Sequence, residues 1–174
     1  MKKLILLIIF LLYNFNAKAN NNTVYLDIQF IIDKSDIGLF YKNKIKIVEN
    51  EGKIKLSDKQ KLIEDKKDAI ENQKNILKKD EIDKKIIELN KLAKEYQISA
   101  QKLNKQIVNE KKKYSKKILE ILNPLLTEYV KSKNIKLVLE KKNVLVGIKN
   151  LDITNDILKI LNLETKNKNL VNEN

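Results

Sequence analysis

The chain has no cysteine, histidine, tryptophan or arginine, and it contains only three glycines and one proline. Thiolate and imidazole supply most zinc, copper and iron sites, so a transition-metal centre would have to be built from carboxylates alone, and none is expected. The same absences remove cysteine–histidine and serine–histidine–aspartate nucleophiles. Lysine, tyrosine, aspartate and glutamate remain as possible catalytic side chains, and they form no convergent cluster in the sequence. Gly38, Gly52 and Gly147 are isolated from one another, so neither a GxGxxG pattern nor a P-loop is present. No catalytic residue, cofactor or metal ligand is assigned, and an enzyme is not expected.

What the chain has in quantity is lysine: all 36 basic residues are Lys, set against 23 acids for a net charge of +13 over 174 residues. Lys2 and Lys3 precede an apolar run from Leu4 to Tyr13, and Ala17-Lys18-Ala19 follows. This is the order of a secretory signal peptide, assigned to residues 1–19, and the run is too short to cross a bilayer. Cleavage after Ala19 leaves about 155 residues carrying about +10, with no disulfide to staple them.

Thr23–Ile28 alternates as a strand. From Leu39 to Lys133 the composition is that of long helix or coiled coil. Ile82, Ile86, Leu89, Ala93, Tyr96, Ala100, Leu103 and Ile107 are spaced alternately by four and three residues, and Tyr114, Ile118, Ile121 and Leu125 resume the series. That spacing is a coiled-coil seam. The preceding half is weaker: Leu62/Ile63, Ala69/Ile70 and Ile76/Leu77 recur every seven residues, with Lys66, Lys67 and Gln73 between them. The seam should therefore be loose.

A reversal is placed at Lys78-Lys79-Asp80-Glu81, with lysines closing one helix, acids opening the next and Asp80 as N-cap. The result is an antiparallel hairpin whose arms reach ~60 Å. Gly52 and the Ser57–Gln60 capping box predict a break or bend near 50–57, and Asn123-Pro124 predicts a kink or restart. Gly52 and Pro124 are thus candidate hinges. Beyond Lys133, Asn134 should end the helix in the left-handed region. Ile135–Leu139 and Val144–Ile148 read as strands joined by a Lys141–Asn143 turn, and Asp152-Ile153-Thr154 leads into a helix ending near Leu163. The expected fold class is α+β, with a small β body drawn from both chain ends (residues 20–38 and 134–163), a helical-hairpin arm (39–133, tip near 78–81) and a disordered tail (164–174). So small a sheet has open edges and little core, which oligomerisation through the body would remedy.

These residues resemble the OmpH/Skp-type periplasmic chaperones over essentially all of the chain after residue 19. The marks are Val24–Ile28 with Gly38, the Lys/Glu-rich hairpin, Ile135–Glu140, Val144–Val146, and Asp152-Ile153-Thr154 followed by Ile157–Asn162. The resemblance implies a homotrimer whose strands form a small barrel, with three arms enclosing a cavity. It further implies an ATP-independent holdase for unfolded outer-membrane proteins in the periplasm. Asn134 stands where the family tends to have Gly, and Lys replaces Arg throughout.

Client contact is expected at Ile63, Ile70, Leu77, Ile82 and Ile86 near the tip, where the same side chains serve equally well as seam residues burying one another. The lysines would attract acidic clients or an anionic lipid or membrane surface, or else reflect a biased composition. Nucleic acid is not expected as a partner, since there is no arginine and no aromatic platform. A client-free envelope scaffold built on the coiled coil is the alternative.

Overall fold

The computed structural model describes residues 22–171, so the signal-peptide assignment at residues 1–19 lies outside the described residues. Strand β1 (Thr23–Leu26) carries β-branched and aromatic side chains into the interior, with Val24, Tyr25 and Leu26 buried. It stops where Asp27 turns the chain, because the Asp27 carboxylate accepts the backbone N–H of Phe30 at 2.8 Å and caps helix α1 (Ile28–Lys34). Ser35 repeats the device. Its buried hydroxyl accepts the N–H of Gly38 at 3.1 Å and starts helix α2 (Asp36–Gln73), 38 residues long. Gly38 cannot carry a side chain here, since a Cβ would fall 1.8 Å from the carbonyl oxygen of Ile32.

Helix α3 (Lys79–Ser132) returns antiparallel over 54 residues. It ends at Asn134, whose φ of 51° is the expected left-handed stop. Strand β2 (Leu137–Glu140) then pairs parallel with β1, Thr23 opposite Leu137 and Leu26 opposite Glu140. The hairpin is therefore the crossover of a parallel pair that joins the two ends of the chain. Helix α4 (Thr154–Asn167) closes the body.

The core gathers Leu26, Ile31, Ile37, Ile118, Leu122, Ile153, Ile157 and Leu161, all 5 % exposed or less. It lies where β1, α1, α4 and the roots of the two long helices meet. The Asp-Ile-Thr segment ties these together: Ile153 N–H donates to the Tyr25 carbonyl at 3.0 Å, and the Thr154 hydroxyl accepts the Asp27 N–H at 2.9 Å. Asp152 accepts the N–H of Thr154 at 3.0 Å and pairs with Lys141 at 2.8 Å. Burial pushes the Asp152 carboxyl up, but the hydrogen bonds from Lys141 and Thr154 prevail and hold it below its ordinary range. The Asn162 side chain accepts the N–H of Asp36 at 3.0 Å, so α4 also caps the arm.

Several expectations are corrected. Val144–Ile148 is not a strand; it lies in a loop between two short 3₁₀ turns, Lys141–Asn143 and Lys149–Leu151, with Leu145 101 % and Val146 92 % exposed. The edge of β1 away from β2 is taken instead by Asp152, which bridges Tyr25. The strand expected over Thr23–Ile28 stops at Leu26, and residues 28–38 are helical apart from the capping Ser35. Helix α2 runs unbroken through Gly52 and Ser57, and α3 runs unbroken through Pro124. Buried Ile118 and Leu122 before the proline, with Leu125 and Leu126 packed on the core after it, hold both flanks and outweigh the lost hydrogen bond. The N-cap of α3 is Lys78; Asp80 sits in the first turn, and Glu81 reaches back to the Lys78 N–H at 3.2 Å. The helix α4 passes Leu163 to Asn167, Thr165 is fully buried, and Leu170 and Val171 pack on the core, so 164–171 is part of the body.

Candidate functional site

The arm carries surface beyond what folding of the body requires. Beyond the core it projects roughly 50–55 Å, at a helical rise of ~1.5 Å per residue. From residue 39 to 117 no described residue is fully buried. At its root Tyr41 stacks on Tyr114, ring centroids 4.1 Å apart and planes 12° from parallel. Burial, then a hydrogen bond with Glu110, raises the Tyr114 phenol above its ordinary pKa. Tyr41 and Tyr114 also border a cavity of about 630 Å³ with Ile32, Ile45, Ile118 and Lys42.

Further out the contacts between helices become polar. Gly52 opposes Leu103, whose side chain occupies the space a Cβ would take. Lys59 donates to the Ser99 hydroxyl at 2.8 Å, and Lys66 pairs with Glu88 at 2.8 Å. The Lys66 hydrogen bond holds the Glu88 carboxyl below its ordinary range. These lysines stand at seam positions that a tight coiled coil fills with leucine, which is why the seam stays open.

Of the predicted contact residues, Ile63, Ile70, Leu77 and Ile82 are half-buried along the seam, and Ile86 is exposed. Leu77 belongs to the reversal at residues 74–78 rather than to a helix. Sequence reasoning missed the more open side chains beside them: Ile76 is 82 % exposed and Ile87 69 %, with Ile54, Ile98 and Ile47 also above half. Ile47, Ile54, Ile87 and Ile98 stand off both apolar series, and asking which isoleucines fall outside them would have found these four; Ile76 belongs to the seven-residue series beside Leu77 and gave no such signal.

A small body built from both chain ends, a two-stranded parallel sheet packed with short helices, carries a projecting helical hairpin whose seam is incompletely closed. Residues 22–161, well over half of the chain, match the family model described as Outer membrane protein (OmpH-like), and the chain belongs to that family. Its fold is similar to the crystal structure of a candidate outer membrane chaperone (OmpH-like) from Caulobacter crescentus, with TM-score 0.74 and 15 % identity, over 84 % of this chain and 86 % of that one. A search of the curated proteins finds no match. Among the described residues no helix is long and apolar enough to cross a membrane.

Proposed function

We propose that this protein is an ATP-independent periplasmic holdase, a homotrimer whose arms receive unfolded outer-membrane proteins and keep them from aggregating. The observation that carries the reading is the distribution of burial. All fully buried apolar side chains lie in the body and at the arm's root, while the arm beyond offers half-open isoleucines and leucines. A holdase needs apolar surface that a client reaches without the chaperone unfolding, and a loose two-helix seam supplies it. Gly52 and Pro124 are the points at which such arms would bend around clients of different size. Periplasmic location rests on the family and on the N-terminal signal pattern.

The trimer is supported by what the body leaves uncovered. Leu137 and Leu139 on β2, and Leu145, Val146 and Ile148 in the loop that follows it, are each at least 40 % exposed. In the proposed assembly the 144–148 segment pairs with strands of neighbouring copies and completes the barrel. A client-free scaffold would favour a closed seam, and within the chain the seam is half open.

The test is dilution of a urea-unfolded outer-membrane β-barrel protein into buffer with and without the purified chain, read by light scattering. At one trimer per client the scattering should be suppressed. Aggregation that proceeds unchanged removes the holdase reading, and a molar mass of a single subunit removes the trimer.

A further inference from the structure

Besides the seam, each long helix carries a second apolar stripe, and over residues 47–65 of α2 and 87–108 of α3 the two stripes are opposite in charge. On α2, Ile47, Glu51, Ile54, Asp58 and Asp65 fall within a strip about 60° wide at 100° per residue. On α3, Ile87, Lys91, Lys94, Ile98, Lys105 and Val108 fall within about 100° of arc. The isoleucines and Val108 are 49 % to 69 % exposed. None of these three acids or three lysines makes an ion pair with another described residue.

Height along the arm adds a second constraint. Because Gly52 meets Leu103, Lys59 meets Ser99 and Lys66 meets Glu88 within one arm, Ile47 stands level with Val108, Glu51 with the turn of Lys105, and Asp65 with the turn of Lys91. Rotation about an axis along the arms preserves height. Residues level within one arm are then level between neighbouring arms of a ring, so Glu51 meets Lys105, Asp65 meets Lys91 and Ile47 meets Val108 without any sliding, while Asp58 comes level with Ile98.

We propose that in the client-free oligomer neighbouring arms zip together, the acidic-apolar stripe of α2 in one copy docking on the basic-apolar stripe of α3 in the next. The inference rests on the trimeric reading above. The zipped state covers the exposed isoleucines when no client is present, and exposed ion pairs of this kind make it weak and salt-sensitive, so an entering client opens it.

The absence of cysteine makes the test clean. Two differently tagged full-length chains, Ile47→Cys and Val108→Cys, are refolded together and mildly oxidised without client. Disulfides between unlike chains should exceed those between like chains by ~10-fold, since only unlike positions meet within disulfide reach. Adding Glu51→Lys and Asp65→Lys to the first chain should slow cross-linking ~5-fold, and adding Lys91→Glu and Lys105→Glu to the second should restore it. Like-chain and unlike-chain disulfides in equal yield, or a charge reversal without effect, overturn the zipper while a trimeric mass leaves the assembly standing. A single-subunit mass overturns both. Cross-links that appear only when an unfolded barrel protein is added make the stripes a client platform and also overturn it.

Discussion

Substituting Gly52 by alanine sets two effects of similar size against each other, and the structure says which one the neighbour controls. In an exposed helix interior, glycine to alanine stabilises by about 1 kcal/mol through reduced backbone freedom. At Gly52 the new Cβ would lie 2.3 Å from one methyl of Leu103, 2.6 Å from the other and 3.0 Å from its branch carbon. These atoms are the far end of a flexible side chain in a half-open seam, so Leu103 rotates away rather than forcing the helices apart. It gives up part of its packing on α2, at a cost of about 1 kcal/mol, the low end for overpacking. The expected net effect of Gly52→Ala is close to zero.

The cycle with Leu103→Ala separates the two contributions. Leu103→Ala alone should destabilise the arm by about 1–2 kcal/mol, below the range of a fully buried leucine because Leu103 is half-buried. In that background the Gly52→Ala Cβ has room, and the full helical gain of about 1 kcal/mol should appear. Native-state hydrogen exchange over residues 45–60 and 98–110 reads it locally, where 1 kcal/mol is about a fivefold change in protection. If Gly52→Ala raises protection equally in both backgrounds, the close approach of Leu103 is not what that position accommodates, and the reasoning fails.

The body should respond more steeply. Leu161 is fully buried in the core, so Leu161→Ala should cost about 3 kcal/mol, measured as a lowered urea midpoint at fixed protein concentration; a loss under 1 kcal/mol would deny α4 its place in the core. Asp152 gives a pH signature: its carboxyl is held below its ordinary pKa, so the stabilisation is fully present at neutral pH and is lost as pH falls through the lowered folded value. Asp152→Asn should lower the midpoint at neutral pH, with the gap to the parent chain closing as the pH falls below the ordinary carboxylate range and through the lowered folded value. A gap that stays constant would mean that the charge on Asp152 contributes nothing.

The hairpin was legible because a four-three repeat over long stretches leaves few alternatives, and Asn134 and the Asp-Ile-Thr segment were legible because each solves a local problem of chain direction. Helix α1 was not: Ile28–Lys34 is too short for periodicity to separate from a strand, although Asp27 and Ser35 on either side are capping residues. Val144–Ile148 has strand composition, yet a hairpin also needs a reversal, and Lys141–Asn143 winds into a 3₁₀ turn instead of returning the chain onto β2. Pro124 shows the converse, a local breaker overruled by core packing on both sides. The candidate contact residues were chosen by seam position, which selects side chains that face the partner helix. That rule finds Ile63 and Ile82 and passes over Ile76 and Ile87, one step off the seam and far more open.

The contrast between body and arm follows from where the polar residues fall. In the body every buried polar side chain has a partner: Ser35 accepts from Gly38, Thr154 bridges Asp27 and Asp152, and Thr165 donates to the Asn162 carbonyl. That satisfaction lets the core close completely around nine apolar side chains. In the arm, lysine at positions 59 and 66 places a charge where closure would strand it away from water, so the helices cannot dry their seam without losing solvation of the ammonium groups. The same residues therefore keep the arm helical, through Ser99 and Glu88, and keep it from burying its isoleucines. An arm with leucine at both positions would be more stable and would have less apolar surface to offer a client.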